Sequence, residues 1–280
     1  MLEANAEKYI LFEDKDIIVC RKPAGIAVQN ARIGAMDLES GLKNYLASAG
    51  NGRQIPYLAV VHRLDQPVEG VLVFARNPKA ARNLSAQITA GKMEKIYLAV
   101  TFGRPAEYEK SETARSTEAD SDETRSGKKH EPKILEDYLK KDGKTNTSSV
   151  VSPGTPGAKK ARLSYEVLDE TQDKISGKPK WLLRIHLDTG RHHQIRVQMA
   201  HAGLPLFGDR KYNPDWELYA KTWQAQMVNE SADHAVHRLP AAELALCATE
   251  LDFRHPKTAK QMHFQVKPQK RIFQMFQGTR

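Results

Sequence analysis

The chain predicts an α+β fold built on a mainly antiparallel sheet, for two reasons: strand-like runs outnumber helical patterns, and the two kinds do not alternate steadily. Its 280 residues can bury one sizeable core or two small ones, so length alone does not settle the domain count; a single elaborated domain over 1–280 is the default expectation. Asp16 to Cys20 reads as a short strand, after which Lys22-Pro23-Ala24-Gly25 turns the chain. Leu58 to Val61 and Val71 to Phe74 read as two more strands, separated by a turn centred on Asp65. A helix follows from Pro78 to Ile88, with Asn77 suited to cap it, Pro78 to its first turn and Gly91 to its end. Lys95 to Val100 returns to strand-like residues.

From Arg104 to Lys160 the composition shifts to Glu, Lys, Ser, Thr, Asp and Gly, which predicts a solvated, flexible insertion at about 105–159. Its apolar patch, Ile134 to Leu139, suits one transient helical turn. The core resumes with strands at Leu163 to Leu168 and Trp181 to Leu187. A second helix is expected from Gly190 or Arg191 to Ala202, with Thr189 near its cap and Gly203 at its end. Asp215 to Val228 suits a third helix, and strands near Leu244 to Phe253 and Gln261 to Val266 close the chain.

The formal net charge of +9 favours a polyanionic partner such as RNA or DNA over an acidic one. Two cysteines, Cys20 and Cys247, are too few for a disulfide framework or a cysteine zinc site. No stretch approaches the roughly 20 apolar residues of a membrane span, and the first residues lack a secretion signal, so a soluble cytoplasmic protein is expected.

Two segments carry the chemistry. The first is His62-Arg63-Leu64-Asp65, an aspartate and an arginine between apolar runs. On its own the run fits a plain turn with a structural Arg63–Asp65 pair as well as it fits a site. The second is Thr189-Gly190-Arg191-His192-His193-Gln194-Ile195-Arg196, which as a helix start places His192 and Arg196 one turn apart. The histidines lack the i, i+4 spacing that chelates zinc, so no metal is assigned.

Arg21-Lys22-Pro23-Ala24-Gly25, His62-Arg63-Leu64-Asp65, Lys95-Ile96-Tyr97, Gly190 to Val197, Gly208-Asp209-Arg210-Lys211-Tyr212 and Phe253-Arg254-His255-Pro256 occur in the order seen in the RluA family of RNA pseudouridine synthases, which the chain resembles. The resemblance implies a bent, mainly antiparallel central sheet with flanking helices and a catalytic cleft. It implies an isomerase that converts uridine to pseudouridine in structured RNA, rRNA and/or tRNA, with Asp65 catalytic, Arg196 its ionic partner and Tyr97 against the target base. Arg63, His62, Arg191 and Gln194 become substrate-binding candidates, and Lys92, Lys95, Arg210 and Lys211 candidates for RNA contact. One carboxylate suffices for this reaction, since the base leaves the ribose through N1 and rejoins through C5 with no water consumed, whereas glycoside hydrolysis uses two. No cofactor and no obligate protein partner are implied. The early start of the core-like segment at Leu11 leaves an expectation of no additional N-terminal RNA-binding domain.

Two departures from the family pattern stand out: Val68-Glu69 where Thr-Ser is common, and Gln198 where histidine is frequent. A catalytically silent RNA-binding or ribosome-assembly factor on the same fold is the rival expectation, and a nucleoside-processing hydrolase a weaker one.

Overall fold

The structure is a computed structural model that describes residues 6–30, 36–49, 55–103, 105, 131–173, 177–229 and 243–276. The chain forms two compact units, Met1–Leu98 with Leu246–Gln269, and Ala99–Ala245 with Lys270–Arg280.

The first unit contains strands β1 (Ile10–Glu13), β2 (Ile17–Lys22), β3 (Ala59–Val60), β4 (Glu69–Ala75), the start of β5 (Glu94–Thr101), β10 (Leu246–Arg254) and β11 (Gln261–Gln265). Helices α1 (Leu38–Ala49) and α2 (Pro78–Thr89) join them. The strand order runs β1-β2-β4-β10-β5, with β11 on β10 and β3 on β4. β4 is buried along its whole length, which explains its unbroken apolar run. One of its faces, Val71, Val73 and Ala75, joins Ile17, Val19, Leu251 and Phe253 in a core onto which α2 lays Ala80 and Leu84. The α2 cap forms as its sequence requires, with Asn77 Oδ1 accepting from Ala80 N at 2.8 Å.

β4 changes partners along one edge. Near its end it pairs antiparallel with β3, Val60 opposite Phe74; near its start it pairs parallel with β10, Cys247 opposite Glu69. Gly70 is required at that junction: a Cβ there would meet the Ala248 carbonyl oxygen at 2.3 Å, and φ is +134°. The chain between Val61 and Val68 leaves the sheet at this point and carries Asp65.

The second unit contains the end of β5, then β6 (Lys133–Asp142), β7 (Thr147–Val151), β8 (Lys159–Gln172), β9 (Pro179–Leu187) and helices α3 (Gln194–His201) and α4 (Trp216–Asn229). β8 pairs antiparallel with β9 and with β6, and β6 pairs antiparallel with β7. Leu139 and Ala161 pack on Val197 of α3, with Val150 and Tyr212 beside them.

Most elements fall where the sequence puts them, and four differences have physical causes. Residues 133–142 and 147–151 are strands, not a flexible loop, and Ile134 to Leu139 is not a helical turn. Their polar composition reflects a ribbon with much of its surface in solvent, while residues 106–130 of the expected insertion lie outside the described residues. Helix α3 starts at Gln194 rather than Gly190 or Arg191, because His193 is left-handed at φ 54°. The Thr189 hydroxyl therefore bonds Gln194 Oε1 at 2.7 Å instead of capping helical amides. Helix α1 has no counterpart in the sequence reading, although Asp37 caps it through Ser40 N and Leu38, Leu42 and Leu46 recur on one buried face.

Candidate active site

The loop bearing Asp65 is fixed from below by a buried lysine. Lys22 has no solvent exposure, and its ammonium donates to the carbonyls of Pro23 (2.9 Å), Ile26 (2.6 Å) and Gln66 (3.0 Å). Gly25 completes the clamp: its N–H donates to Gln66 O at 2.9 Å, and its carbonyl accepts from Gln66 Nε2 at 3.0 Å. The Lys22-Pro23-Ala24-Gly25 turn is thus the bed on which residues 65 to 67 rest, and Val68 N closes the turn onto Asp65 O at 3.0 Å. The sequence reading quotes this turn as a motif without assigning Lys22 a role. A charged pair, Arg21-Lys22, ending the apolar run Ile17 to Cys20 is the signal that could have found it.

His62 opens the same loop and accepts a hydrogen bond from Val73 N at 3.1 Å. It satisfies a β4 amide between the two partners of that edge, so its ring serves the sheet. Loss of solvent, with the Lys95 ammonium adding to it, lowers its pKa to about 3, and the ring stays neutral. Arg63 is exposed and donates to Gln29 Oε1 at 2.9 Å.

Tyr97 comes from β5 and is buried. Burial raises its phenol well above the usual value, and the Asp65 carboxylate raises it further, so the structure brings these two residues into electrostatic reach of each other. A partly exposed carboxylate beside a buried, protonated phenol is a site that can hold one anionic group against an aromatic surface.

Arg196 lies on α3 in the second unit, buried, with Asp209 as a bidentate partner: Nε and Nη2 each donate at 2.8 Å. Its guanidinium also lies 5.1 Å from the centre of the Tyr212 ring. Asp209 Oδ1 further accepts from Lys211 N and Tyr212 N. Just before Asp209, Gly208 lets the backbone pass close to residue 243, where a Cβ would meet Glu243 O at 2.4 Å. Asp209 and Tyr212 stand in a quoted motif, yet the sequence reading gives neither a role.

Several expected site residues are structural. Gln194 is buried and fully engaged: Oε1 accepts from Thr189 Oγ1 and Arg191 N, and Nε2 donates to Arg162 O. Arg191 is exposed and donates through Nε to Lys160 O. Lys95 is buried instead of lying on a solvent-facing basic surface, whereas Lys92, Arg210 and Lys211 are exposed. His192 precedes α3 and bonds Ser148 Oγ and Asn146 Oδ1, so it does not share a helix face with Arg196. Both family departures have structural roles. Glu69 is buried and accepts from Gln269 N at 3.1 Å; Gln198 donates to Asp137 Oδ2 at 2.8 Å, tying α3 to β6. His255 of the closing motif meets Asp14 Oδ2 at 2.8 Å and accepts from the amides of residues 257 and 258. Asp14, Asp16 and His255 form a grouping of potential metal ligands, but Asp14 Oδ1 already accepts two backbone amides and Asp16 accepts from Asn77.

The family model described as RNA pseudouridylate synthase matches residues 16–201. An uncharacterized RNA pseudouridine synthase of Zymomonas mobilis is 32% identical over 206 residues, covering 73% of this chain and 78% of that protein. Ribosomal large subunit pseudouridine synthase C of Rickettsia bellii is 31% identical over 74% of this chain, and the match spans 58% of the relative's length. Ribosomal large subunit pseudouridine synthase D of Pseudomonas aeruginosa is 29% identical, over 94% of this chain and 69% of its own. Among solved structures, human RNA pseudouridylate synthase domain containing 4 superposes with a TM-score of 0.64 at 19% identity, covering 94% of this chain and 91% of its own, which establishes the shared fold. Among the described residues no helix is long and apolar enough to cross a membrane. The matched family model and the Zymomonas relative make the chain a member of the RluA-type RNA pseudouridylate synthase family.

Proposed function

We propose that this pseudouridine synthase acts on specific uridines of ribosomal or transfer RNA, and that Asp65 is its catalytic residue. The observation that carries the reading is the setting of Asp65: a carboxylate on a loop clamped by Lys22, within electrostatic reach of the buried Tyr97 phenol. In the proposed reaction the carboxylate either attacks C1′ of the ribose or takes a proton from C2′. Either step breaks the bond from N1 to C1′. The freed uracil turns and C5 bonds to C1′, displacing the carboxylate if it had attacked there or with the C2′ proton returned if it had been taken; C5 loses its proton and N1 gains one, so the product is an isomer of the substrate. Tyr97 offers the aromatic face on which a flipped uracil can stack, and its raised pKa keeps the phenol protonated.

Arg196 is proposed as the ionic partner of Asp65 during the reaction. Asp209 and Tyr212 support that role by holding the guanidinium at a set angle. The names of the Rickettsia and Pseudomonas relatives, both ribosomal large subunit synthases, favour rRNA over tRNA. The family match runs from the first unit into the second, which supports a catalytic domain made of both. Buried free thiols at Cys20 and Cys247 suit work in the cytosol. Incubating the full chain with unmodified rRNA and tRNA transcripts and mapping pseudouridine should reveal a small set of converted uridines. Absence of conversion in every RNA, with wild type equal to Asp65→Ala, would overturn the reading.

A further inference from the structure

The β6–β7 ribbon carries a cluster of cations that the reaction does not use. Lys140, Lys141 and Lys144 are exposed at its end, and Lys159, exposed, is registered opposite Leu139 beside them. Arg210 and Lys211 of the following motif are exposed as well, and Lys211 Nζ donates to the carbonyls of Asn146 (3.0 Å) and Thr145 (3.4 Å) in the ribbon's turn. Among the described residues none of these cations has a carboxylate partner. Neighbouring acids are already engaged: Glu136 with Lys160 at 2.7 Å, Asp142 with Lys144 N at 2.8 Å, and Asp137 with Gln198 at 2.8 Å.

The turn is also fixed before any ligand arrives. Asn146 takes a left-handed conformation at φ 51°, and its side chain meets His192 Nε2 at 3.1 Å. Tyr212 Oη accepts from Ser148 N at 2.8 Å and is hydrogen-bonded to His193 Nδ1 at 2.7 Å. The His192 ring stacks on His193 at 3.8 Å between centroids. The ribbon, the 209–212 segment and the start of α3 therefore form one bonded assembly that also holds Arg196.

We infer that the end of this ribbon is a docking surface for the phosphate backbone of the RNA substrate, distinct from the uridine-binding residues. An acidic protein is the competing ligand for such a patch. Backbone RNA is favoured because the exposed turn, 142–146, offers lysine, hydroxyl and amide groups without an aromatic or apolar anchor, the mixture that contacts phosphate and sugar rather than a folded protein's interface core. A fixed turn spends little ordering entropy on binding. The bonds of Tyr212 to Ser148 and His193, and of Gln198 to Asp137, tie the ribbon to α3 and so set a docked strand in a constant register to Arg196.

The inference rests on the synthase reading, and its test separates the two by measuring binding without turnover. In the full chain carrying Asp65→Asn, total ribosomal RNA is titrated at a series of salt concentrations, with and without Lys140→Gln, Lys141→Gln and Lys144→Gln together. Each lysine removed should flatten the slope of log affinity against log salt by about 1, and affinity near 0.1 M salt should fall on the order of 10-fold or more. The same lysines changed to Arg should retain the wild-type slope. In the active enzyme the glutamine variant should raise KM with kcat unchanged. Unchanged slope and affinity for RNA would overturn the docking surface, as would a loss seen with polyglutamate and not with RNA. Should the triple variant fail to fold, Lys141→Gln and Lys144→Gln singly must each flatten the slope by about 1. An inactive wild type that still shows these slope changes would refute the synthase reading and leave the docking surface standing.

Discussion

At the scale of single residues, His62 and Tyr97 are tuned by their settings. His62 is neutral because its ring has lost solvent, sits near the Lys95 ammonium and accepts a backbone amide. The sign of the linkage follows directly. The folded state holds the His62 pKa near 3 while the unfolded chain returns it to about 6.5, so the unfolded state binds the extra proton first. Stability from this group is complete above about pH 6.5 and declines as pH falls toward 3. Scanning calorimetry between pH 7 and 4 should show a falling midpoint, and His62→Gln should lessen the fall. Tyr97 moves the opposite way, since burial and the Asp65 carboxylate both oppose phenolate, so no ionisation of this residue should shape activity in the neutral range. The sequence motifs single out Asp65 and Tyr97, which lie within electrostatic reach of each other. The burial of Gln194 and Lys95 was not legible, because a sequence does not reveal whether a polar side chain is turned into the protein or toward solvent.

At the scale of elements, the loop that carries Asp65 owes its position to two devices, the Lys22 clamp and the change of partner along β4. Lys22→Met keeps most of the buried volume but leaves the carbonyls of Pro23, Ile26 and Gln66 without the ammonium. A loss of about 3 kcal/mol in urea unfolding is expected, from several acceptors left poorly satisfied at once. Gly70→Ala forces a side chain into the Ala248 backbone at a φ of +134° and should cost about 3 kcal/mol or more by the same measurement. Both variants should lose more activity than their folded fraction explains, because each loosens the loop that carries Asp65. The strand runs and α2 could be read from pattern because their periodicity and caps are local. The β6–β7 ribbon could not: its exposed Lys, Ser and Thr residues read as a loop, and only β6 is joined to the rest of the sheet, through β8. Helix α3 began later than expected because His193 adopts a left-handed conformation that carries no propensity signal.

At the scale of the whole molecule, the net charge of +9 is unevenly used. Some cations are buried, Lys22 and Arg196 among them, while the lysines of the β6–β7 end are exposed and are the ones proposed to meet RNA. The antiparallel character of the sheet follows from pairings such as β2 with β4 and β8 with β9, and the parallel contact of β4 with β10 marks where the loop that carries Asp65 departs. The central claim is that one carboxylate, Asp65, performs the isomerisation. Its direct test is single-turnover conversion of rRNA by wild type and Asp65→Asn at saturating enzyme, with RNA affinity measured alongside. The account predicts pseudouridine formation slowed by on the order of 10³-fold or more in Asp65→Asn while RNA affinity is retained; conversion by that variant at a rate near wild type would contradict it.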